Sequence, residues 1–69
     1  MEIFELNEQD FIELHNLLKV TGICDSGGSA KALIAAGHVK VDNKIELRKR
    51  CKIRSGQVVD FDGNQVQVS

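Results

Sequence analysis

The feature that most constrains the fold is a change of hydrophobic period at Gly37. Before this residue, apolar side chains recur at helical spacing; after it, they alternate with polar ones, as in half-buried strands. The run "GHVKVDNKIELR" holds two alternating segments around Asp42-Asn43, a pair typical of a tight hairpin turn. Helices followed by short antiparallel strands indicate an α+β fold.

Two helices are predicted before this change. The first runs from about residue 8 to about residue 20, because Asn7 can cap it and acidic residues fill its first turn. Ser26 is the predicted cap of the second helix, whose first turn contains Gly27 and Gly28. These glycines leave backbone N–H groups uncovered, which favours an anion site; a plain loop-to-helix entry is the alternative.

A second hairpin is predicted near the C-terminus, where alternating residues 59–61 and 66–68 flank the turn sequence 62–64. The N-terminal "EIFEL" is compatible with a further short strand. We therefore expect two N-terminal helices packed on a small, mainly antiparallel sheet of short strands. At 69 residues, the chain is expected to form one domain, 1–69, and to act as a monomer.

Positive charge is concentrated in the middle of the chain, although the formal net charge is only −1. Residues 1–30 carry one lysine against six acidic residues, a formal charge of −5. Residues 31–54 carry eight basic against two acidic residues, or +6, and residues 55–69 add −2. A local field of one sign attracts a polyanion, while a solvated face without a partner is the alternative.

The densest basic stretch is "ELRKRCKIRSG", and basic residues also occur in the second helix and the first hairpin. Lys40, Lys44 and Arg48 take alternating positions of that hairpin, so we expect them on its solvent side. If the hairpin packs beside the second helix, these charges and the helix N–H groups share one face. The candidate binding residues are Ser26, Gly27, Lys31, His38, Lys40, Lys44, Arg48, Lys49, Arg50, Lys52 and Arg54.

The order of these segments resembles a known family. The quoted elements are "LHNLL", Gly22, Ser26, "AKALIAAGHVKVDNK", the basic stretch and "IRSGQVVDF". Over about residues 11–61 they resemble the αL RNA-binding motif, the domain named for ribosomal small-subunit protein four. The short form, with "RKRCKI" and a final "VQVS", is most similar to the stand-alone bacterial proteins of the YbcJ group.

The resemblance implies RNA binding through the second helix and the hairpin that follows it. It carries over four kinds of motif position to this chain: the serine that opens the second helix, the basic residue after the helix alanine, the residues of the helix-to-strand turn and a basic residue before the final turn. These positions are Ser26, Lys31, Gly37, Val39, Val41 and Lys52.

The chain departs from the family pattern at three positions. Gly27 stands where the family often has an arginine, which removes one phosphate contact. Asp42 replaces the usual asparagine of the hairpin turn, and Gln57 replaces the aspartate of the usual Gly-Asp in the last turn. The run 48–50 is a candidate compensation for the missing arginine, because the guanidinium fork can bind two phosphate oxygens.

Three function classes follow from these observations. The first is binding to structured RNA, with ribosomal or transfer RNA as the expected partner, by contacts to phosphates and 2′-hydroxyl groups. The second is an adaptor that docks on a ribosomal or RNA-processing protein, through the basic stretch or the acidic N-terminal half. The third, an enzyme, is disfavoured, because neither His15 nor His38 has a nucleophile at a familiar spacing.

The remaining chemistry-bearing residues have structural explanations. His15 is expected to be structural, whereas His38 adjoins the basic face. Cys24 and Cys51 are expected to be buried thiols, with one disulfide as the alternative. Basic neighbours of Cys51 could lower its pKa, but a buried strand thiol is favoured.

No cofactor, metal or membrane partner is expected, because no zinc-like spacing and no long apolar run occurs in the sequence. The acidic, polar N-terminus is the reverse of a secretory signal. The expected location is the cytoplasm. Tyr and Trp are absent and the three Phe take core-like positions, so stacking of single-stranded bases on aromatic rings is disfavoured.

Overall fold

The computed structural model describes residues 2–69 and has two helices and seven short strands. The α+β class and the small, mainly antiparallel sheet are confirmed. The elements are β1 Glu2–Phe4, β2 Ile12–Glu13, α1 Leu14–Val20, α2 Gly27–Ala35, β3 Val39–Val41, β4 Lys44–Ile45, β5 Lys52–Ile53, β6 Val58–Phe61 and β7 Asn64–Val68.

The first helix is shorter than predicted, and its predicted cap is wrong. Asn7 lies in a turn with a positive φ of 59°, and α1 begins only at Leu14. The residues before it form β2, which pairs antiparallel with β5 so that Ile12 lies opposite Ile53. Pairing with a strand about 40 residues away therefore overrides the local helix signal.

The second helix agrees with its sequence signals. Ser26 Oγ accepts a hydrogen bond from the Ser29 N–H at 3.1 Å, which caps α2 as predicted. The helix ends at Ala35, and Gly37 follows with a φ of +83°, a conformation that favours glycine. Ala30 and Ile34 are its buried residues and pack into the core.

The larger sheet has the strand order β1-β7-β6-β3-β4. Both predicted hairpins are present, and Asp42 and Asn43 take the positive φ values of a tight two-residue turn. β1 is the one parallel neighbour in this sheet, since it pairs with β7. The first hairpin is shorter than predicted: β4 ends at Ile45, and Leu47 lies outside it.

The core lies between the helices and one face of the larger sheet. Leucines from α1 and alternate valines from β3, β6 and β7 meet there, and removal of this apolar surface from water is the main stabilising contribution. The fully buried large side chains are Leu14, Leu17, Leu18, Ile34, Ile53, Val39, Val59, Val66 and Val68. No helix within residues 2–69 is long and apolar enough to cross a membrane.

Two of the three departures from the family pattern contact each other. Gln57 Nε2 donates to Asp42 Oδ2 at 3.3 Å, and the Val58 N–H donates to Asp42 Oδ1 at 3.0 Å. The hairpin turn after β3 is thereby joined to the start of β6.

Candidate functional site

The basic segment, residues 48–54, is held by the N-terminus of α1. The first N–H groups of a helix have no partner within the helix. Here the Leu14 N–H donates to the Cys51 carbonyl at 2.9 Å, and the His15 N–H donates to the Lys49 carbonyl at 3.0 Å. The side chain of Glu13 at the N-cap makes no capping hydrogen bond, so backbone carbonyls of the basic segment take its place as acceptors for the first N–H groups of the helix.

The side chain of His15 strengthens the same attachment. It is buried, and its Nδ1 lies 2.9 Å from the Lys49 carbonyl oxygen. Because a carbonyl oxygen can only accept, Nδ1 carries the proton and donates. The expectation that His15 is structural is confirmed, and its role is to fix the backbone of the basic segment.

The far end of the basic segment is fixed by β5. Lys52 lies opposite Glu13 in the pairing with β2. Lys52 Nζ lies 5.0 Å from the centre of the Phe11 ring, and the Arg54 guanidinium carbon lies 5.7 Å from it. Both distances suit cation–π attraction. Phe11 falls within the range predicted for the first helix but lies half-buried before β2, beneath these two cations.

Arg48 differs from the other cations because Glu46 compensates its charge. Arg48 Nε and Nη2 donate to the two carboxylate oxygens of Glu46 at 2.9 and 3.1 Å, and the Arg48 N–H donates to the same carboxylate at 3.0 Å. The hydrogen bonds from the Arg48 side chain lower the pKa of Glu46 from 4.5 to about 2. The carboxylate therefore remains ionised beside Arg48 at neutral pH.

An open groove of about 760 Å³ lies beside this segment and is called the basic groove below. Its lining combines cations with apolar side chains from α2 and from the connection after β4. The lining residues are Ala35, Leu47, Arg48, Lys49, Arg50, Cys51 and Lys52. Arg48, Lys49, Arg50 and Lys52 are all exposed.

The start of α2 lies in line with the basic groove. Residues four apart share one face of a helix, so Gly27, Lys31 and Ala35 form one stripe that ends at the groove. A Cβ added at Gly27 would meet no atom within 4 Å. The position of Gly27 therefore has room for a larger side chain, and the half-buried Lys31 lies between it and the groove.

The structure brings together only some of the predicted site residues. Of the eleven candidates, Arg48, Lys49, Arg50 and Lys52 line the basic groove. His38 lines a separate cavity of about 360 Å³ together with Leu33, Phe61 and Asp62. The candidates that lie outside the lining of the basic groove are Ser26, Gly27, Lys31, His38, Lys40, Lys44 and Arg54.

The expectation that Lys40 and Lys44 share the solvent side of the hairpin is wrong. In the pairing of β3 with β4, Lys40 lies opposite Ile45 and Val41 lies opposite Lys44. Directly opposed residues point to the same face, so Lys40 and Lys44 point to opposite faces. Lys40 also lies opposite Asp60 of β6, so a carboxylate neighbours it on the sheet.

The two cysteines are free thiols, as the favoured interpretation predicted. Cys24 is buried, whereas Cys51 is half-buried and precedes β5, so its placement as a buried strand thiol is wrong. The alternative of a lowered pKa is also wrong: burial, and then the hydrogen bond with Glu46, raise the pKa of Cys51. Burial raises the pKa of Cys24 as well.

Three residues of this site were not predicted from the sequence. Ala35 and Leu47 form the apolar part of the groove, and Glu46 compensates Arg48. The spacing of Glu46 and Arg48 offered a signal, because alternate residues of an extended segment point to the same side. The position of Ala35 offered none, since it depends on the packing of α2 beside a later segment.

Comparison with known proteins gives one family. The model of the S4 domain matches residues 4–69. The chain is 52% identical over 68 residues to a protein of Escherichia coli (strain K12) named "Putative RNA-binding protein YbcJ", covering 99% of this chain and 97% of that protein. YbcJ of Shigella flexneri shows the same identity and coverage.

Two solved structures share the fold. The solution structure of E. coli YbcJ, whose description names an αL motif involved in RNA binding, matches with a TM-score of 0.76 and 51% identity. The match covers 99% of this chain and 86% of that one. The crystal structure of 30S ribosomal protein S4e from Thermoplasma acidophilum matches with a TM-score of 0.63 and 22% identity, over 84% of this chain and 31% of that one, which is a likeness of fold.

Proposed function

We propose, from the premise that this chain belongs to the S4 domain family, that it binds structured RNA through the basic groove and the adjoining face of α2, without catalysis. The observation that carries the proposal is the anchored basic segment. Its backbone carbonyls point to the N-terminus of α1 while its cationic side chains are exposed. A fixed row of cations suits the fixed spacing of phosphates along a folded RNA.

The four cations of the basic segment that have no carboxylate at salt-bridge distance provide the main phosphate contacts. Within residues 2–69, Arg48 is the cation of this segment that has a carboxylate at salt-bridge distance, that of Glu46. The cations left for phosphate in the basic segment are Lys49, Arg50, Lys52 and Arg54. Lys31 extends the row along α2, and the uncovered N–H groups at Gly27 offer a further anion contact.

A structured RNA fits this surface better than a single strand does. Phe4, Phe11 and Phe61 are half-buried, and Phe11 lies beneath Lys52 and Arg54, so no fully exposed ring is present among the described residues for base stacking. Recognition then depends on phosphates, 2′-hydroxyl groups and shape. Folded ribosomal and transfer RNAs present this geometry.

The test is a titration of the protein into a labelled RNA hairpin and into a single strand of the same composition, at several salt concentrations. Five uncompensated cations predict a slope of log K against log salt of magnitude about 3 to 5, since each phosphate contributes about 0.7 to 0.9. Tighter binding to the hairpin with this slope supports the proposal. Absence of binding to either RNA at low salt would refute it and favour the adaptor, with the basic segment as the docking surface for an acidic protein.

A further inference from the structure

The basic groove has an apolar wall that phosphate binding alone does not require. Leu47 is 60% exposed although it lines the groove, and the exposed methyl group of Ala35 lies on the same lining. Leu47 is also close to the backbone: a Cβ added at Gly37 would lie 3.9 Å from Leu47 Cδ2. The same Cβ would also lie 3.9 Å from Ile45 Cγ2, and Ile45 is 59% exposed, so Leu47 belongs to a contiguous apolar patch. Contiguous exposed apolar patches, unlike single exposed leucines, mark surfaces that another molecule covers.

The groove is large enough for more than a phosphate. Its volume of about 760 Å³ lies in the range of cavities that hold small organic molecules, about 300 to 1,000 Å³. Its lining includes the apolar side chains of Ala35 and Leu47 together with the cations Lys49, Arg50 and Lys52. A ligand that complements both kinds of side chain combines a flat, weakly polar group with a negative charge.

We propose that the basic groove receives one unstacked nucleotide of the bound RNA, with its base against Leu47 and Ala35 and its phosphate among Lys49, Arg50 and Lys52. This inference rests on the proposed function and specifies its target, an RNA helix interrupted by a bulge or a loop. Unstacked bases in such elements are the usual points of sequence recognition in RNA. Leu47 is then a specificity-determining residue, whereas the surrounding cations provide general affinity.

The experiment compares three labelled RNA hairpins with the same stem. The first has a continuous stem, the second has a one-nucleotide bulge, and the third has the same bulge without its base. The second and third have the same phosphates and the same flexible joint, so their difference in affinity reports contact with the base. We expect the bulged hairpin to bind about five-fold tighter than the abasic one, from covering the exposed part of one leucine side chain.

Leu47→Ser should abolish this preference and leave the salt slope unchanged. Ile3→Ser is the matched control, because Ile3 is 62% exposed and belongs to β1, at the opposite edge of the sheet from β4. It should keep the five-fold preference. Thermal unfolding of both variants verifies that each is folded at the assay temperature.

The outcomes separate the two proposals. Equal binding of all three hairpins, with a steep salt slope, would leave RNA binding intact and overturn the nucleotide site. A preference that Leu47→Ser retains would also overturn it, by moving the base contact elsewhere. Absence of binding to every hairpin would refute RNA binding and the nucleotide site together, and would leave the groove to an acidic protein segment.

Discussion

The ion pair between Glu46 and Arg48 leads to a prediction that charge counting alone does not give. The Arg48 side chain is 76% exposed and lies in the densest basic run, so by sequence it is equivalent to Arg50. In the structure, its two hydrogen bonds to Glu46 cancel its charge locally. We therefore expect Arg48 to release far fewer counterions from RNA than Arg50 does.

The perturbation is a pair of double substitutions with matched chemistry. Glu46→Gln with Arg48→Gln removes two charged groups but no net charge. Lys49→Gln with Arg50→Gln also replaces two neighbouring charged residues, but removes two positive charges. Arg48, Lys49 and Arg50 are exposed and the Glu46 side chain is 18% exposed, and none of the four belongs to the core.

The magnitudes follow from phosphate counting. The five cations of the proposed RNA face, which are Lys31, Lys49, Arg50, Lys52 and Arg54, give the parent protein a slope of magnitude about 4, and the Lys49–Arg50 variant should lose about 1.5 of it. Raising the salt concentration four-fold, from 50 to 200 mM, should then weaken RNA binding by the parent protein about 250-fold and RNA binding by this variant about 30-fold. The Glu46–Arg48 variant should keep the slope of the parent.

The assay is fluorescence anisotropy of a labelled RNA hairpin at four or more salt concentrations. The slope is the deciding quantity, because disturbed positioning of the segment lowers affinity at every salt concentration and leaves the slope unchanged. An equal loss of slope in both variants would refute the reasoning, since it would show that Arg48 contacts phosphate despite Glu46. Thermal unfolding of each variant verifies its fold.

Three further predictions test other parts of the site. Gly27→Arg adds one cation where a Cβ meets no atom within 4 Å, so it should increase the magnitude of the slope of log K against log salt by about 0.7 to 0.9. Gly27→Gln is the neutral control, and an unchanged slope in Gly27→Arg would place Gly27 off the RNA face. The Glu46 pKa of about 2 means that the stabilisation from its ion pair with Arg48 is complete above pH 4.5 and is lost as the pH falls towards 2. In Arg48→Gln, the midpoint of the Glu46 carboxyl ¹³C titration should move to higher pH. A midpoint near pH 4.5 in the parent protein would contradict this reasoning. His15→Leu should lower the free energy of unfolding in urea by about 1 kcal/mol and speed amide exchange around Lys49, whose carbonyl it contacts; exchange equal to that of the parent would contradict the anchoring role.

The parts of the fold that the sequence predicts correctly are those whose signals are local. The cap of α2 is a contact between residues three apart, and the first hairpin depends on the positive φ values of Asp42 and Asn43. Both signals are complete within a few residues. Because these signals do not depend on distant contacts, the sequence predicts the positions of α2 and β3 correctly.

The start of α1 could not be read in the same way, because its determinants are distant in sequence. Ile12 pairs with Ile53, and the first two N–H groups of the helix bond to carbonyls at Lys49 and Cys51. No pattern around Asn7 contains this information. The separation of Lys40 from Lys44 likewise follows from cross-strand register, which alternation along one strand does not determine.

The two helices therefore use their N-termini in opposite ways. The N–H groups at the N-terminus of α1 donate to backbone carbonyls of the basic segment, which orders a turn whose like charges repel one another. The N-terminus of α2 is capped by the short side chain of Ser26, and the two glycines that follow leave it open. One helix end thus positions the basic segment, whereas the other leaves open space at Gly27, where we propose the anion contact. The charge itself is separated along the chain: residues 31–54 carry a formal +6 and the remaining residues −7, so a chain of net charge −1 can gather its cations in the segment that α1 holds.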